Sequence, residues 1–348
     1  MPFGPASRSV AGVADADRVF FHPPDLPAAL RTLLYQIPAS RVTTYGTLAE
    51  RLGDRVAARW IGEALLHEDF PADCPRWRVV RADGDVGRYA AGRERKVALL
   101  RREGIDFDED GRLTHAAGAL WDAFDWIPPP LAALRDWQRS LAPRVIRRDM
   151  LGADSVATIA GIDVAYPAAG RTARAAYALC DAARGALLAE RVVRRPTAFP
   201  YITSYLTFRE GPNLVDVIRE AEADGPAADV LMVDGSGRLH PRGAGLATCV
   251  GVALGRPTIG VTKKRLCGDL AGDEPPPGAA TPIAMDGEIA GYAIRPHTGG
   301  KRIYASPGNG VSLETCLKLT LRLMPARRRL PAPIHHADRR SRHNTAGA

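Results

Sequence analysis

The sequence predicts an α/β domain that is preceded by a small domain with a helix-turn-helix, winged-helix-like outline. A chain of 348 residues is long enough for two domains of ordinary size. After residue 131, short unbroken apolar runs, typical of strands buried on both faces, alternate with helical patterns. Before residue 106, a glycine separates two stretches with helical spacing.

Changes in composition indicate the domain boundaries. Residues 1–25 are rich in Ala, Pro and Asp without a lasting period and are expected to form a loose leader. Residues 26–105 are predicted as the small domain, and 106–130 as a linker stiffened by three consecutive prolines at its end. The α/β domain is placed at 131–338, and a basic tail at 339–348.

Charge and cysteine content limit the partner and the compartment. The net charge of +8 and a pI near 9.5 favour a polyanion, with nucleic acid as the leading partner class. Five scattered cysteines form neither the pairs of a zinc site nor a disulfide framework, which favours a reduced, cytoplasmic compartment. The sequence begins with no signal-like leader and has no membrane-spanning apolar run, so we expect no membrane association.

The small domain is predicted from two helical patterns. Leu48 and Leu52 define the apolar face of the first helix, and Gly53 is suited to end it. A second pattern continues to Leu65 after a short turn, and a threonine before the first helix is a suitable N-cap. This spacing predicts a helix-turn-helix.

The α/β domain is predicted to open with a helix near Leu131 and a buried strand that ends at Asp163. Two further strand-like runs flank the turn-like segment 181–185 and predict a hairpin. Another strand ends at Asp234, before the flexible segment 235–237. A small-residue helix, a strand and a late pair of strands complete the pattern.

Asp163 and Asp234 each stand at the end of a hydrophobic strand, where open α/β sheets present ligand-binding residues. Two desolvated acids at one edge repel each other unless a cation lies between them, and oxygen ligands select Mg²⁺ or Mn²⁺. Acids at strand ends are also common as turn or capping residues. The pattern alone leaves both interpretations open.

The strings around these acids resemble the endonuclease V family, and they follow one another in the family's order over roughly residues 131–338. The strings are GIDVAY from Gly161, PYITSYLTFREGP from Pro200, VDGSGRLHPRGAGLA from Val233 and PTIGVTKKRLCG from Pro257. The resemblance implies a ribonuclease H-like fold and a magnesium-dependent endonuclease. Such an enzyme cuts damaged DNA at the second phosphodiester bond 3′ to deoxyinosine. Whether inosine-containing RNA is also a partner stays open.

The resemblance also implies roles for individual side chains. Asp163 and Asp234 are expected to hold the metal, Glu210 to join them as a third ligand, and Lys263 to face a phosphate. His240 is expected in the same site. Without the resemblance, Lys263 is equally well read as an ordinary surface lysine. Hydrolysis with a 3′-oxygen leaving group would yield a 3′-hydroxyl and a 5′-phosphate.

Two further positions carry weaker expectations from the same resemblance. Tyr201 matches an aromatic residue that wedges into the duplex, but Thr203 and Ser204 replace the usual Pro-Gly pair. The alternative for Tyr201 is a buried core tyrosine. Asp338 follows a proline-rich string in which Ile334 and His335 replace the usual Thr-Arg, and it is a lesser candidate for assisting a second metal ion.

The small domain resembles the DNA-binding domain of O6-alkylguanine-DNA alkyltransferases. The matching strings are VTTYGTLAERLG from Val42, ARWIGEAL from Ala58, PRWRVVRADG from Pro75, VGRYAAG from Val86 and KVALLRREGI from Lys96. The resemblance implies that Arg59 fills the space left by a flipped nucleotide and that Tyr45 assists its rotation. Both residues otherwise suit simple phosphate contacts.

Alkyl transfer needs a thiolate activated by histidine, within Pro-Cys-His-Arg-Val. Arg76 stands in place of the cysteine and Trp77 in place of the histidine, so the domain resembles alkyltransferase-like proteins that bind alkylated bases without repair. The leading hypothesis is a deoxyinosine-directed nickase fused to this module. Two alternatives are a lesion-binding protein with a weakened nuclease half, and an alkyltransferase that uses Cys74.

Overall fold

The computed structural model describes residues 18–114, 116–167, 172–297 and 300–342. The helices are α1 (Arg18–Phe21), α2 (Leu26–Tyr35), α3 (Tyr45–Arg51), α4 (Ala58–His67), α5 (Arg93–Arg102), α6 (Ala116–Ala119), α7 (Pro130–Leu141), α8 (Leu206–Ala223), α9 (Leu246–Leu254), α10 (Leu313–Arg322) and α11 (Ala332–Arg342). The strands are β1 (Thr43–Thr44), β2 (Val79–Val80), β3 (Thr158–Ala165), β4 (Thr172–Asp181), β5 (Leu187–Pro196), β6 (Val230–Asp234), β7 (Thr258–Thr262), β8 (Asp269–Leu270), β9 (Ala280–Met285), β10 (Glu288–Ile294) and β11 (Ile303–Pro307). No helix in these ranges is both long and apolar enough to cross a membrane.

The first domain contains the predicted helix-turn-helix, formed by α3 and α4. Thr44 caps α3, because its hydroxyl accepts a hydrogen bond from the Thr47 backbone N–H at 3.0 Å. Gly53 follows α3 in the turn between the two helices and has φ +105°, a conformation that favours glycine. The strands β1 and β2 pair in parallel behind the helices. The prediction of a helix-turn-helix domain is confirmed.

The second domain is built on a nine-stranded mixed sheet in the order β5-β4-β3-β6-β7-β11-β10-β9-β8. The strands β3, β6 and β7 run parallel at its centre, and β4 and β5 form the predicted antiparallel hairpin. The late strands β10 and β11 also pair antiparallel. The predicted α/β class is confirmed.

Alternating side chains of the central strands separate two layers of core. In β3, Ala160 and Ile162 belong to the core under α8 and α9, whereas Ile159 faces the core that contains residues of α10 and α11. In β6, Val233 belongs to the core under α8 and α9, and Met232 belongs to the core that contains residues of α10 and α11. Asp163 and Asp234 follow the register of Ile159 and Met232, so both belong to the face covered by α11.

The start of the chain and the segment between the domains differ from expectation. Residues 18–25 are not a loose leader, because α1 buries Phe20, whose ring stacks on Trp137 at a centroid distance of 5.4 Å. Within 106–130, the backbone N–H of Trp121 donates to the Val42 carbonyl at 2.6 Å, and Phe124 is buried. Burial of these aromatic rings gives both segments a fixed place in the core. Residues 1–17 lie outside the described part.

The last helix, α11, lies across β3 and β4. Gly161 permits this close approach, because a Cβ atom at this position would collide with the backbone carbonyl of Pro333. The helix continues through Arg342, so residues 339–342 of the expected basic tail are helical, and 343–348 lie outside the described part.

Candidate active site

Three aspartates from separate elements meet at one edge of the sheet. Asp163 lies near the end of β3, Asp234 is the last residue of β6, and Asp338 lies on α11. One carboxylate oxygen from each lies within 4.8 Å of the other two. The two strand-end acids therefore share one site with an acid contributed by the C-terminal helix.

The Lys263 ammonium bridges two of these acids directly after β7. Its Nζ donates to Asp234 Oδ2 at 2.6 Å and to Asp338 Oδ1 at 2.7 Å. Burial opposes the charge of Lys263, but attraction to the two carboxylates outweighs it and raises the lysine pKa. Arg342 lies 3.1 Å from Asp338, which brings a second cation to this acid.

Asp163 is the most buried acid of the three, with 7% of its surface exposed. Burial, and then repulsion by Asp234, raises its pKa to about 7. The Ser341 hydroxyl donates to Asp163 Oδ2 at 2.6 Å, which acts in the opposite direction. A carboxylate in this position is costly to ionise unless a cation joins it.

Glu210 lies on α8, on the other side of the sheet from α11. Its side chain is buried, and burial together with repulsion by Asp163 and Asp234 raises its pKa well above the usual range. Glu210 is therefore close to both aspartates. The three acids whose oxygens lie within 4.8 Å of one another are nevertheless Asp163, Asp234 and Asp338, and Glu210 is not among them.

The donor chemistry of this cluster fits a hard divalent cation. Asp163, Asp234 and Asp338 offer only carboxylate oxygens, which are the ligands that Mg²⁺ and Mn²⁺ prefer. The raised pKa values of Asp163 and Glu210 report uncompensated negative charge in a buried place. The acidic triad could thus bind a metal ion.

His240 is buried beside the loop that carries Tyr201. This loop, residues 197–205 between β5 and α8, is called the Tyr201 loop below. Its Nδ1 accepts from the Arg242 backbone N–H at 3.2 Å, so its Nε2 carries the proton and donates to the Ser204 carbonyl at 3.1 Å. Burial, and then the Arg242 charge, lowers the histidine pKa to about 4. These contacts make a neutral His240 a support for the loop, and its expected catalytic role stays a prediction.

Tyr201 projects from this loop with 64% of its surface exposed, so the alternative of a buried core tyrosine is wrong. Ser204 has φ +65°, the left-handed conformation that favours glycine. The Arg242 guanidinium donates to the Ser204 carbonyl at 2.7 Å. The loop therefore keeps a glycine-type turn at a serine, held by hydrogen bonds from neighbouring side chains.

In the first domain, Tyr45 begins α3 and Arg59 lies exposed on α4. Together with Arg81 and Arg88 they line a groove of about 240 Å³. Burial raises the pKa of Tyr45. The two residues expected to manipulate a nucleotide thus lie together in a basic groove, although their roles on DNA stay predictions.

The two residues that follow Arg76 form structural contacts. Trp77 Nε1 donates to Glu103 Oε1 at 2.9 Å, and Arg78 donates to both oxygens of the same carboxylate. Cys74 is 1% exposed, and burial raises its thiol pKa to about 11. A buried, protonated thiol is a poor alkyl acceptor.

Ser341 and Arg242 were not predicted from the sequence. Ser341 follows Asp338 by three residues, a spacing that places both on one helical face, so a helix assigned to this segment would have indicated it. Arg242 belongs to the quoted HPR string, but its contacts with the Tyr201 loop span 38 residues and leave no local signal.

Comparison with known proteins agrees with this geometry. The Endonuclease V family matches residues 139–339, and the family described as "6-O-methylguanine DNA methyltransferase, DNA binding domain" matches residues 27–105. A "Bifunctional methyltransferase/endonuclease" of Picrophilus torridus is 32% identical over 293 residues, which cover 84% of this chain and 88% of that protein.

Solved structures of endonuclease V are similar to the second domain. The catalytic domain of human endonuclease V is 28% identical with a TM-score of 0.57, covering 62% of this chain and 96% of that one. Endonuclease V of Ciona intestinalis, solved with a 24mer DNA containing an inosine followed by a ribo-adenosine, is 25% identical with a TM-score of 0.54, covering 61% and 96%. This chain therefore belongs to the endonuclease V family and carries, ahead of its ribonuclease H-like nuclease domain, an alkyltransferase-like DNA-binding domain.

Proposed function

We propose that this protein is a magnesium-dependent DNA repair nickase that cuts the second phosphodiester bond 3′ to deoxyinosine. The observation that carries the proposal is the triad of Asp163, Asp234 and Asp338 with Lys263 among them. A cluster of this composition suits phosphodiester hydrolysis, and family membership supplies the substrate class.

The triad would hold the metal ion, and Glu210 would interact with it electrostatically, as it does with Asp163 and Asp234. A bound divalent cation supplies positive charge for the attacked phosphate and for the leaving oxygen, and it makes a water molecule more acidic. Mg²⁺ is the proposed ion, and Mn²⁺ has the same ligand preference.

The residues of the chain then orient the reactants. Water attacks phosphorus, the bond from phosphorus to the 3′ oxygen breaks, and the products are a 3′-hydroxyl and a 5′-phosphate. Lys263 adds positive charge where negative charge develops in the transition state. Ser341 favours the ionised form of Asp163 by donating a hydrogen bond to it.

Substrate selection is assigned to the Tyr201 loop. An exposed aromatic ring can enter a base step and offset the cost of unstacking, and a damaged base must leave the stack to be recognised. The endonuclease V of Ciona intestinalis has been solved with inosine-containing DNA, which supports inosine as the base recognised here. His240 would serve this step through its contact with Ser204.

The first domain is proposed to bind alkylated bases without accepting the alkyl group. Tyr45 and Arg59 line its basic groove, which suits a nucleotide. Arg76 and Trp77 stand at the positions of the nucleophile and its base, and Cys74 is buried with a raised thiol pKa.

The decisive experiment compares nicking of matched duplexes that carry inosine, uracil, O6-methylguanine or no lesion, with Mg²⁺, with Mn²⁺ and with a chelator. We expect metal-dependent nicking of the inosine duplex alone, two bonds 3′ to the lesion. An inosine-containing RNA duplex forms a parallel arm that decides whether RNA is a substrate. Equal cutting of damaged and undamaged DNA contradicts the proposal.

A second candidate is a lesion-binding protein with an inactive nuclease half, favoured by Thr203 and Ser204 in place of Pro-Gly. It predicts affinity for an O6-methylguanine duplex and no cleavage at any metal concentration. A stoichiometric methyl-transfer assay tests the remaining alternative, since the similar Picrophilus protein is called a methyltransferase. Transfer that disappears in a Cys74→Ser protein would establish Cys74 as an acceptor.

A further inference from the structure

The two domains are joined by a polar contact centred on Asp54. The Tyr205 hydroxyl of the nuclease domain donates to Asp54 Oδ2 at 2.7 Å. The Arg242 guanidinium lies 3.6 Å from the same oxygen, and its centre lies 4.2 Å from the centroid of the Tyr205 ring. One carboxylate of the first domain thereby contacts Tyr205 and Arg242 of the second, and Arg135 of α7 lies 3.9 Å from the same oxygen.

Asp54 also organises the approach to α4. Its Oδ1 accepts from the Val56 backbone N–H at 3.1 Å, which caps the short 3-10 helix that leads into α4. Its two oxygens therefore act on different domains, one on the segment before α4 and the other on the nuclease.

On the nuclease side, the contacts continue into the Tyr201 loop. Arg242 donates to the Ser204 carbonyl at 2.7 Å and to the Ser204 hydroxyl at 3.2 Å. Tyr205 directly follows Ser204, so two of the three partners of Asp54 are fixed to the loop that carries Tyr201. The helix α4 and this loop are therefore held to a common anchor.

The helix and the loop form the two walls of one groove of about 660 Å³. Arg59 and His67 of α4 line one wall, and Tyr201 and Arg209 line the other. Within the part of the chain that the structure describes, the exposed Arg59 guanidinium has no hydrogen bond or ion pair. The acid Glu63 in the same wall is already paired with Arg88 at 3.0 Å.

We propose that this groove is a composite binding site in which both domains hold one damaged DNA duplex. Arg59 contacts a backbone phosphate, Tyr201 stacks on a base, and Asp54 is a positioning residue that keeps the two walls in register. A free guanidinium and an exposed aromatic ring in one groove suit a nucleic-acid strand, which offers a phosphate and a base face close together. The inference rests on the proposed function, because it assigns a DNA site next to that nuclease.

The composite site predicts that the first domain also contributes to binding of inosine DNA that contains no alkylated base. Domains that bound DNA independently would leave the first domain idle on such a substrate, apart from general electrostatic attraction. In the composite site, Arg59 contributes to every inosine duplex that the nuclease engages. Its contribution should exceed that of another exposed arginine of the same domain.

The test measures the Kd of the full-length protein for a fluorescein-labelled duplex with one central inosine, in a chelator that prevents cleavage. We expect Arg59→Ala to weaken binding about tenfold through loss of a phosphate contact, and Tyr201→Ala about tenfold through loss of stacking. Arg102→Ala, which removes an exposed arginine at the end of α5, is the matched control and should change Kd little. Equal effects of Arg59→Ala and Arg102→Ala overturn the composite site.

The positioning role of Asp54 has its own readout. A 2-aminopurine next to the inosine reports unstacking, and at saturating protein we expect a smaller fluorescence gain with Asp54→Ala than with wild type. Asp54→Asn should recover part of the gain, because its amide oxygen still accepts from Tyr205. An unchanged gain in Asp54→Ala contradicts the role. Nicking with Mg²⁺, measured separately on wild type, reports the proposed function independently of these binding results.

Discussion

Acids that are largely removed from solvent occur in both domains, in opposite electrostatic surroundings. In the nuclease domain, Asp163 and Glu210 are buried next to other acids, and their pKa values are raised. In the first domain, burial alone would raise the pKa of Glu103, but hydrogen bonds from Arg78 and Trp77 outweigh it and lower this pKa. One region leaves negative charge to be neutralised, and the other neutralises it within the fold.

This difference separates a reactive site from a structural one. Acids that repel each other in a buried place are a poor contribution to stability and a good reason to bind a cation. The Glu103 carboxylate instead accepts three hydrogen bonds from Arg78 and Trp77, which suits a structural role. The paired acid suits a domain that only binds DNA, and the unpaired acids suit a domain that cuts it.

The largest expected effect comes from removing an acid of the triad. Asp338→Ala should lower kcat for nicking of the inosine duplex by about 10² to 10³-fold, because a metal ligand and a partner of Lys263 are lost together. Single-turnover nicking measures the effect. The control is Asp136→Ala, which removes an exposed acid of α7. An Asp338→Ala protein that nicks at the wild-type rate would exclude Asp338 from the metal site.

Breaking the paired acid of the first domain should damage the fold instead. Glu103→Ala leaves the Arg78 guanidinium without its carboxylate in a largely buried place, so we expect a loss of about 3 kcal/mol in the free energy of unfolding. Denaturant unfolding measures it, with exposed Glu94→Ala as the matched change in α5. If stability falls equally in both variants, Glu103 is not the structural acid described above.

The unpaired acids predict a pH dependence for metal binding. The folded-state pKa of Asp163, about 7, lies above its unfolded value, so its protonated form favours folding at low pH and that contribution is lost as pH rises through about 7. The metal-free protein should therefore be less stable at about pH 8 than at about pH 6. Below about pH 7, metal must displace the proton, and Mg²⁺ affinity should fall by up to about tenfold per pH unit. Calorimetric titration checks this, and an affinity independent of pH contradicts it.

The smallest effect is expected at Ser341. Ser341→Ala removes the hydrogen bond that favours ionised Asp163, so Mg²⁺ affinity near neutral pH should fall about three- to tenfold. The deficit should shrink at higher pH, where Asp163 is ionised without help, and Ser341→Thr should restore binding. A deficit that is the same at every pH would indicate lost packing rather than an altered pKa.

The strand-end acids could be predicted from sequence because their signal is local. Asp163 and Asp234 each close an apolar run, and parallel strands end at the same edge of a sheet. The helix-turn-helix was equally visible, since capping threonine, apolar spacing and Gly53 lie within a few residues. Family resemblance then added Tyr201 and Lys263.

The membership of the acid triad could not be read in the same way. Asp163 and Asp234 face α11 because of strand register, and α11 reaches β3 because Gly161 has no side chain to meet Pro333. That contact joins segments about half the chain apart, so no local pattern indicates it. Glu210 was the natural third acid in a motif, whereas packing brings Asp338 into the group.

The same reason applies to the parts expected to be loose. Phe20 lies in a segment without a period, and its burial depends on Trp137 and on Gly211, whose missing side chain makes room for the ring. The segment 106–130 contacts the first domain through backbone hydrogen bonds that composition does not encode. The role of Asp54 in joining the domains could not be predicted, because its partners lie in the other domain.

The most direct test of the central claim is nicking of an inosine duplex with Mg²⁺ by wild type and by Asp234→Ala, compared under single-turnover conditions. We expect wild type to cut once, at the second phosphodiester bond 3′ to inosine, and the variant to give no detectable nick. Both proteins should bind the duplex when a chelator is present. Robust nicking by the Asp234→Ala protein would contradict the acid triad as the catalytic centre.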